Sequence, residues 1–139
     1  MQFVLDCSVA ISWCLVDENN DYADAILVMM SDGEAFVPGI WSLEIANVLL
    51  VAERRNRMTT EQSQEAIVLL QSLLIQVDTA TDTFALDTTL VLGRTVGLAA
   101  YDAAYLELAL RLGLPLATLD TRLAEAATRC GVPLVVVNG

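Results

Sequence analysis

The strongest constraint on this chain's fold is an alternation: short aliphatic runs, too brief for helices, recur between segments with helical spacing. The strand candidates are Phe3-Val4-Leu5, Ala35-Phe36-Val37, Ile75-Gln76-Val77, Leu116 to Leu119 and Leu134 to Val137. Helical stretches run Ser8 to Val16, Tyr22 to Met30, Ile40 to Arg55, from Thr59, Thr83 to Val96, Tyr101 to Leu112, and after Asp120 to Cys130. Thr59 with Gln62 reads as a capping box, and Gly113 with Pro115 just beyond reads as a helix stop. Wholly apolar strands are buried on both faces, which a parallel sheet between two helical layers provides. The expected fold class is therefore α/β, in three α/β/α layers around a central parallel sheet of four or five short strands. No Pro/Gly/Ser-rich linker or repeat divides the chain, so residues 1–139 are expected to be a single domain.

Composition removes whole chemistries. All seven basic residues are Arg, against 18 carboxylates, for a net charge of −11. Without His there is no Ser-His-Asp triad or Cys-His pair, and without Lys no P-loop or Schiff base. The three cysteines, Cys7, Cys14 and Cys130, form no C-x-x-C pair; Cys14 and Cys130 read as core residues in a reducing compartment. The first residues lack a basic n-region, and no uncharged apolar run reaches ~20 residues. A cytoplasmic protein without a membrane segment is expected.

The remaining tools are carboxylates. In such sheets ligands bind beyond the carboxyl ends of the strands, and two strand candidates end in Asp6 and Asp120. Each is equally a helix N-cap by position. Glu44 stands inside Trp41-Ser42-Leu43-Glu44-Ile45-Ala46-Asn47-Val48-Leu49, where an acid is paired, metal-bound, or turned to solvent with Asn47. Asp102 opens a helix in Ala99-Ala100-Tyr101-Asp102-Ala103-Ala104-Tyr105, where the dipole also favours it.

Taken together, four blocks resemble the PIN-domain ribonucleases, and among them the VapC-type toxins of prokaryotic toxin–antitoxin pairs. They are Val4-Leu5-Asp6-Cys7-Ser8-Val9 with Trp13; Val37-Pro38 with Glu44 to Leu49; Gly97 to Tyr105; and Ala117-Thr118-Leu119-Asp120-Thr121-Arg122-Leu123. The resemblance spans nearly the whole chain and implies a PIN-like fold. It implies that Asp6, Glu44, Asp102 and Asp120 are the catalytic and metal-binding acids, with Ser8 and Thr118 as supporting hydroxyls. Ser12 and Thr121 stand where many relatives carry a basic residue, which touches substrate contacts only.

The chemistry agrees. Oxygen ligands suit Mg²⁺ or Mn²⁺, which can activate water and relieve phosphate charge. The expected reaction is endonucleolytic hydrolysis of RNA by metal-activated water, leaving a 5′-phosphate. Arg122, just after Asp120, is the first phosphate-contact candidate; Arg55, in the only basic cluster of the sequence (Arg54, Arg55, Arg57), is the second. Trp13 and Trp41 read as core. Response-regulator receivers and haloacid-dehalogenase phosphatases need a Lys and a differently spaced acid pair after the first strand. A PIN nuclease for RNA processing and a non-catalytic PIN-like binding module remain as alternatives. The helix from Ile40 is apolar almost all round, so a homodimer is expected to cover part of it. A toxin of this kind also implies a cognate antitoxin carrying an amphipathic segment.

Overall fold

The computed structural model describes residues 1–137. Strand β1 (Gln2–Leu5) leads into α1 (Cys7–Cys14) and α2 (Asp21–Met29), then β2 (Glu34–Val37), α3 (Trp41–Arg54), α4 (Thr60–Ser72) and β3 (Ile75–Val77). Next come α5 (Thr81–Phe84), a π-helical turn (Ala85–Thr89), α6 (Leu90–Val96), α7 (Ala100–Leu112), β4 (Leu116–Ala117) and α8 (Thr121–Arg129). The sheet runs β3-β2-β1-β4, every pairing parallel, in the register Phe3–Ala35, Val4–Leu116 and Ala35–Ile75. Helices cover both faces, as expected. Phe3, Val4 and Leu5 are each 0% exposed, which explains why β1 reads as a continuous apolar run rather than an alternating one.

Three expectations change. The strand expected over Leu116 to Leu119 stops at Ala117, because Thr118 turns its hydroxyl toward Asp6 instead of continuing the ladder. The strand expected at Leu134 to Val137 is a single bridge, Leu116 to Leu134, since β4 offers two residues to pair with and Pro133 has no N–H to donate. The helix expected over Thr83 to Val96 starts at Thr81 and is broken by the π turn, which inserts a residue and rotates the apolar stripe. Leu86 and Val91 consequently face solvent, 88% and 54% exposed.

The local signals elsewhere hold. Thr59 accepts from the Gln62 N–H at 3.1 Å and donates its own N–H to the Gln62 side chain at 2.9 Å. Gly113 ends α7 at φ 66°, a conformation that disfavours a side chain. Trp41 is buried, and Trp13 packs on the core while its Nε1 donates to the Ala23 carbonyl at 2.7 Å. Cys14 is buried and Cys130 half-buried.

A polar clamp fixes the angle between the helices that carry the site. Arg111 on α7 donates to Asp78 after β3 (2.7 Å) and to buried Glu107 (2.8 Å), and it lies 4.6 Å over the Phe84 ring. Thr81 Oγ1 donates to Asp78 and accepts the Gly39 N–H just before α3. The start of α3, bearing Glu44, is thereby tied to the helix bearing Asp102.

Candidate active site

Asp6 is the most constrained acid. It is 3% exposed and directly follows β1, where its N–H donates to Ala117 at 2.9 Å and holds it beside the end of β4. It occupies the N-cap position of α1 yet makes no side-chain cap bond. Its Oδ2 instead accepts from Ser8 Oγ (2.6 Å) and Thr118 Oγ1 (2.8 Å). Both hydroxyls have their acceptor side engaged by main chain: Leu119 N–H donates to Ser8 and Asp120 N–H to Thr118, each at 3.0 Å. Their protons are therefore free for the carboxylate. Oδ1 receives no side-chain donor. Burial still outweighs these bonds and, with the Asp120 charge, holds the Asp6 carboxyl above its ordinary value.

Asp120, three residues past the end of β4, is a true cap. Its Oδ1 accepts the N–H groups of Arg122 (2.9 Å) and Leu123 (3.1 Å), leaving Oδ2 without a protein donor. Asp102, in the first turn of α7, is not the cap; Ala99 is. Half-burial and the charges of Asp120 and Asp6 raise its pKa, and Arg122 nearby pulls it back down.

Glu44 is neither turned to solvent with Asn47 nor unpaired. Its Oε1 accepts from Tyr105 Oη at 2.7 Å and its Oε2 from Cys7 Sγ at 3.5 Å. Burial raises its pKa first of all, with smaller contributions from Asp6 and Asp102. Burial, with the charges of Asp6 and Glu44, pushes the Cys7 thiol far up, so it stays a protonated donor. Tyr105 and Cys7 are site residues that the sequence reading missed. The signal for Tyr105 was present: it stands three residues after Asp102 on a helix, hence on the same face. Cys7, between Asp6 and Ser8, left no local trace of its partner.

Asp6, Glu44, Asp102 and Asp120 thus feel one another's charge at the carboxyl ends of β1 and β4. Among the described residues, no three Asp, Glu or Cys side chains converge tightly enough to hold a bare ion by themselves. The donor set fits an ion that keeps much of its hydration, as Mg²⁺ does when one or two carboxylates bind it. Asp6, Glu44 and Asp102, raised first by burial and further by neighbouring carboxylates, are groups that an added cation would relieve.

The arginines separate. Arg122 donates to the Gly97 carbonyl at 2.8 Å, across the turn that precedes α7, and so borders the acids. Arg55 caps the far end of α3, eleven residues or about 16 Å along the helix from Glu44. Its neighbour Arg57 is taken by Asp17 at 2.9 Å.

The PIN domain family profile matches residues 3–128. No curated protein matches the chain in sequence. Among solved structures it is similar to PAE2754 from Pyrobaculum aerophilum, with TM-score 0.67 and 22% identity over 91% of this chain and 87% of that one. VapBC2 from Rickettsia felis, solved bound to a DNA fragment from its promoter, matches with TM-score 0.68 and 13% identity over 99% and 100%. FitAcB from Neisseria gonorrhoeae matches with TM-score 0.55 and 21% identity over 98% and 97%.

Proposed function

This chain belongs to the PIN domain family, and from that premise we propose that it is a metal-dependent endoribonuclease acting in the cytoplasm as the toxin of a toxin–antitoxin pair. One observation carries the catalytic part: Asp6, sealed from bulk water and pushed above its ordinary pKa, is held by two hydroxyls rather than by a cation. A buried carboxylate kept without a counter-charge is costly, and a site that receives a cation accounts for it.

Asp6, Glu44, Asp102 and Asp120 would hold Mg²⁺ or Mn²⁺, which when bound supplies water acidification and charge relief for a phosphodiester. The chain's own residues position everything else. Ser8 and Thr118 fix the Asp6 rotamer, and Tyr105 and Cys7 fix Glu44. Asp120 keeps one oxygen for the cluster while the other caps α8. Arg122 offers an exposed guanidinium to a substrate phosphate beside Asp102.

The test is cleavage of a mixed RNA pool by purified protein. Cleavage is expected with Mg²⁺ or Mn²⁺, and loss of it with excess EDTA. Full cleavage in EDTA would remove the metal from the reading. No cleavage of any RNA, with either ion, would favour the non-catalytic binding module.

The toxin assignment draws on the likeness to VapBC2 and FitAcB, and the antitoxin is the proposed protein partner. Association with a second copy is proposed for the outer face of α3. Trp41, Ile45 and Leu49 point into the core, while Leu43 and Leu50 face outward at 68% and 47% exposure. Leu43 and exposed Tyr101 line one groove of about 330 Å³. A homodimer through this face should become a monomer on size exclusion when Leu43→Glu is introduced; an unchanged elution volume would place the interface elsewhere.

A further inference from the structure

Two arginines far apart in the sequence from the basic cluster meet beside the acids. Arg122 and Arg129 stand at opposite ends of α8, about 10 Å apart along its axis. Their guanidiniums nonetheless lean together onto adjacent carbonyls at the end of α6. Arg122 donates to Gly97 at 2.8 Å and Arg129 to Val96 at 3.2 Å. Glu125 lies between them on the same helix, within side-chain reach of both, yet it pairs with neither. Among the described residues the ion pairs all involve Arg57 or Arg111.

The consequence is electrostatic. The end of α6 carries roughly half a negative charge and Glu125 one more, which two guanidiniums still exceed by roughly half a charge. A chain of net charge −11 thus has a locally positive spot, exposed, across the Gly97 turn from Asp102. Each guanidinium spends one N–H on a carbonyl and keeps others free, so both heads are already ordered. Ordered, unpaired, paired-up arginines suit phosphate oxygens, which take several such donors at once.

We infer that Arg122 and Arg129 form a clamp for consecutive phosphates of a single-stranded RNA, so that the strand leaves the acid cluster across the α6–α8 junction. The inference rests on the ribonuclease reading and adds the direction of the strand. It assigns no substrate role to Arg54 and Arg55, at the far end of α3.

The experiment measures binding of a short, fluorescent single-stranded RNA of mixed sequence in Mg²⁺, on an Asp6→Asn background that leaves the RNA uncut, as a function of salt. Arg129→Gln removes the charge and shortens the side chain by two atoms, while keeping it polar. It should weaken binding several-fold and lower the log–log salt slope by about 0.7, the contribution of one single-strand phosphate contact. Arg122→Gln/Arg129→Gln should lower the slope by about twice that. Arg129→Lys should restore most of the slope, and Arg54→Ala should leave it unchanged. Thermal melts of each variant report the helix-capping role separately. The clamp is overturned if the Gln variants bind RNA like their parent, if the parent binds no RNA, or if the loss appears with duplex DNA and not with RNA. Reduced slope in a protein whose native form cleaves nothing would keep the clamp and remove the nuclease.

Discussion

Asp6 and Asp120 have similar local sequence settings: each follows a mainly aliphatic run and precedes a helix with a hydroxyl within its first two residues. In the folded chain they differ. Asp120 spends an oxygen on two main-chain N–H groups of α8 and is half-buried. Asp6 makes no side-chain cap bond, is sealed at 3% exposure, and is gripped by the hydroxyls of Ser8 on α1 and Thr118 after β4. The difference teaches that an acid following a strand caps the next helix or turns away from it according to what the neighbouring strand brings to it. Here the segment after β4 brings Thr118, which joins Ser8 of α1 in holding Asp6.

The comparison breaks most sharply with Asp6→Asn. The amide carbonyl still accepts from Ser8 and Thr118, but the charge is gone. RNA cleavage should be abolished while the metal-free protein melts at or above the native temperature, because a buried charge has been removed. Added Mn²⁺ should stabilise the native protein in the melt, and that stabilisation should vanish in the variant. A protein that cleaves normally would return Asp6 to a purely structural role.

Asp120 separates cap from charge. Asp120→Asn keeps the cap, and Asp120→Ala loses about 1 kcal/mol of stability with it. Both should lose cleavage. Were Asp120→Asn fully active in the RNA assay, the cap would be its whole contribution.

Thr118→Val tests the link between the two acids, since Thr118 donates to Asp6 and accepts from Asp120 N–H. Groups that hold a metal ligand are worth roughly 10- to 100-fold in metal affinity or activity. A rise of that order in the metal concentration needed for half-maximal cleavage is expected, together with a lower melting temperature. Tyr105→Phe should act similarly through Glu44, with a smaller loss of activity because the Cys7 bond remains.

The smallest effect is on pH dependence. The folded pKa of Asp6 lies above its ordinary 3.8, so the native state binds the proton more tightly than the unfolded chain does. Its contribution to stability is therefore greatest at low pH and falls as pH rises from about 3.8 through the folded value. Asp78, lowered first of all by its bond from Arg111, contributes in the opposite sense and loses stability as pH falls below 3.8. Metal-free Asp6→Asn should flatten the first slope and leave the second, as read from denaturant midpoints across pH. An unchanged profile would mean Asp6 is not desolvated in solution.

The arginines repeat the contrast at larger scale. Arg54, Arg55 and Arg57 cluster in sequence, but Arg57 is paired with Asp17 and the other two crown the far end of α3. Arg122 and Arg129 are separated by a helix and converge. A run of like charges is visible in one dimension; a meeting of two side chains on a third element is not.

The four acids with Ser8 and Thr118 were expected from the resemblance to PIN-domain ribonucleases; the sequence by itself determined the alternation of strands and helices, the parallel sheet and the capping box at Thr59. The latter follow from periodicity and capping, both readable over a few neighbouring residues. Tertiary structure alone decided that Asp6 is not a cap, that Tyr105 and Cys7 hold Glu44, that a π turn exposes Leu86, and that the last strand shrinks to one bridge. Each depends on a partner elsewhere in the chain: Thr118 reaches Asp6 across 112 positions and Tyr105 reaches Glu44 across 61. A hydrogen bond is decided within a few tenths of an ångström, and over such separations only the packed sheet and its helices set distances that finely.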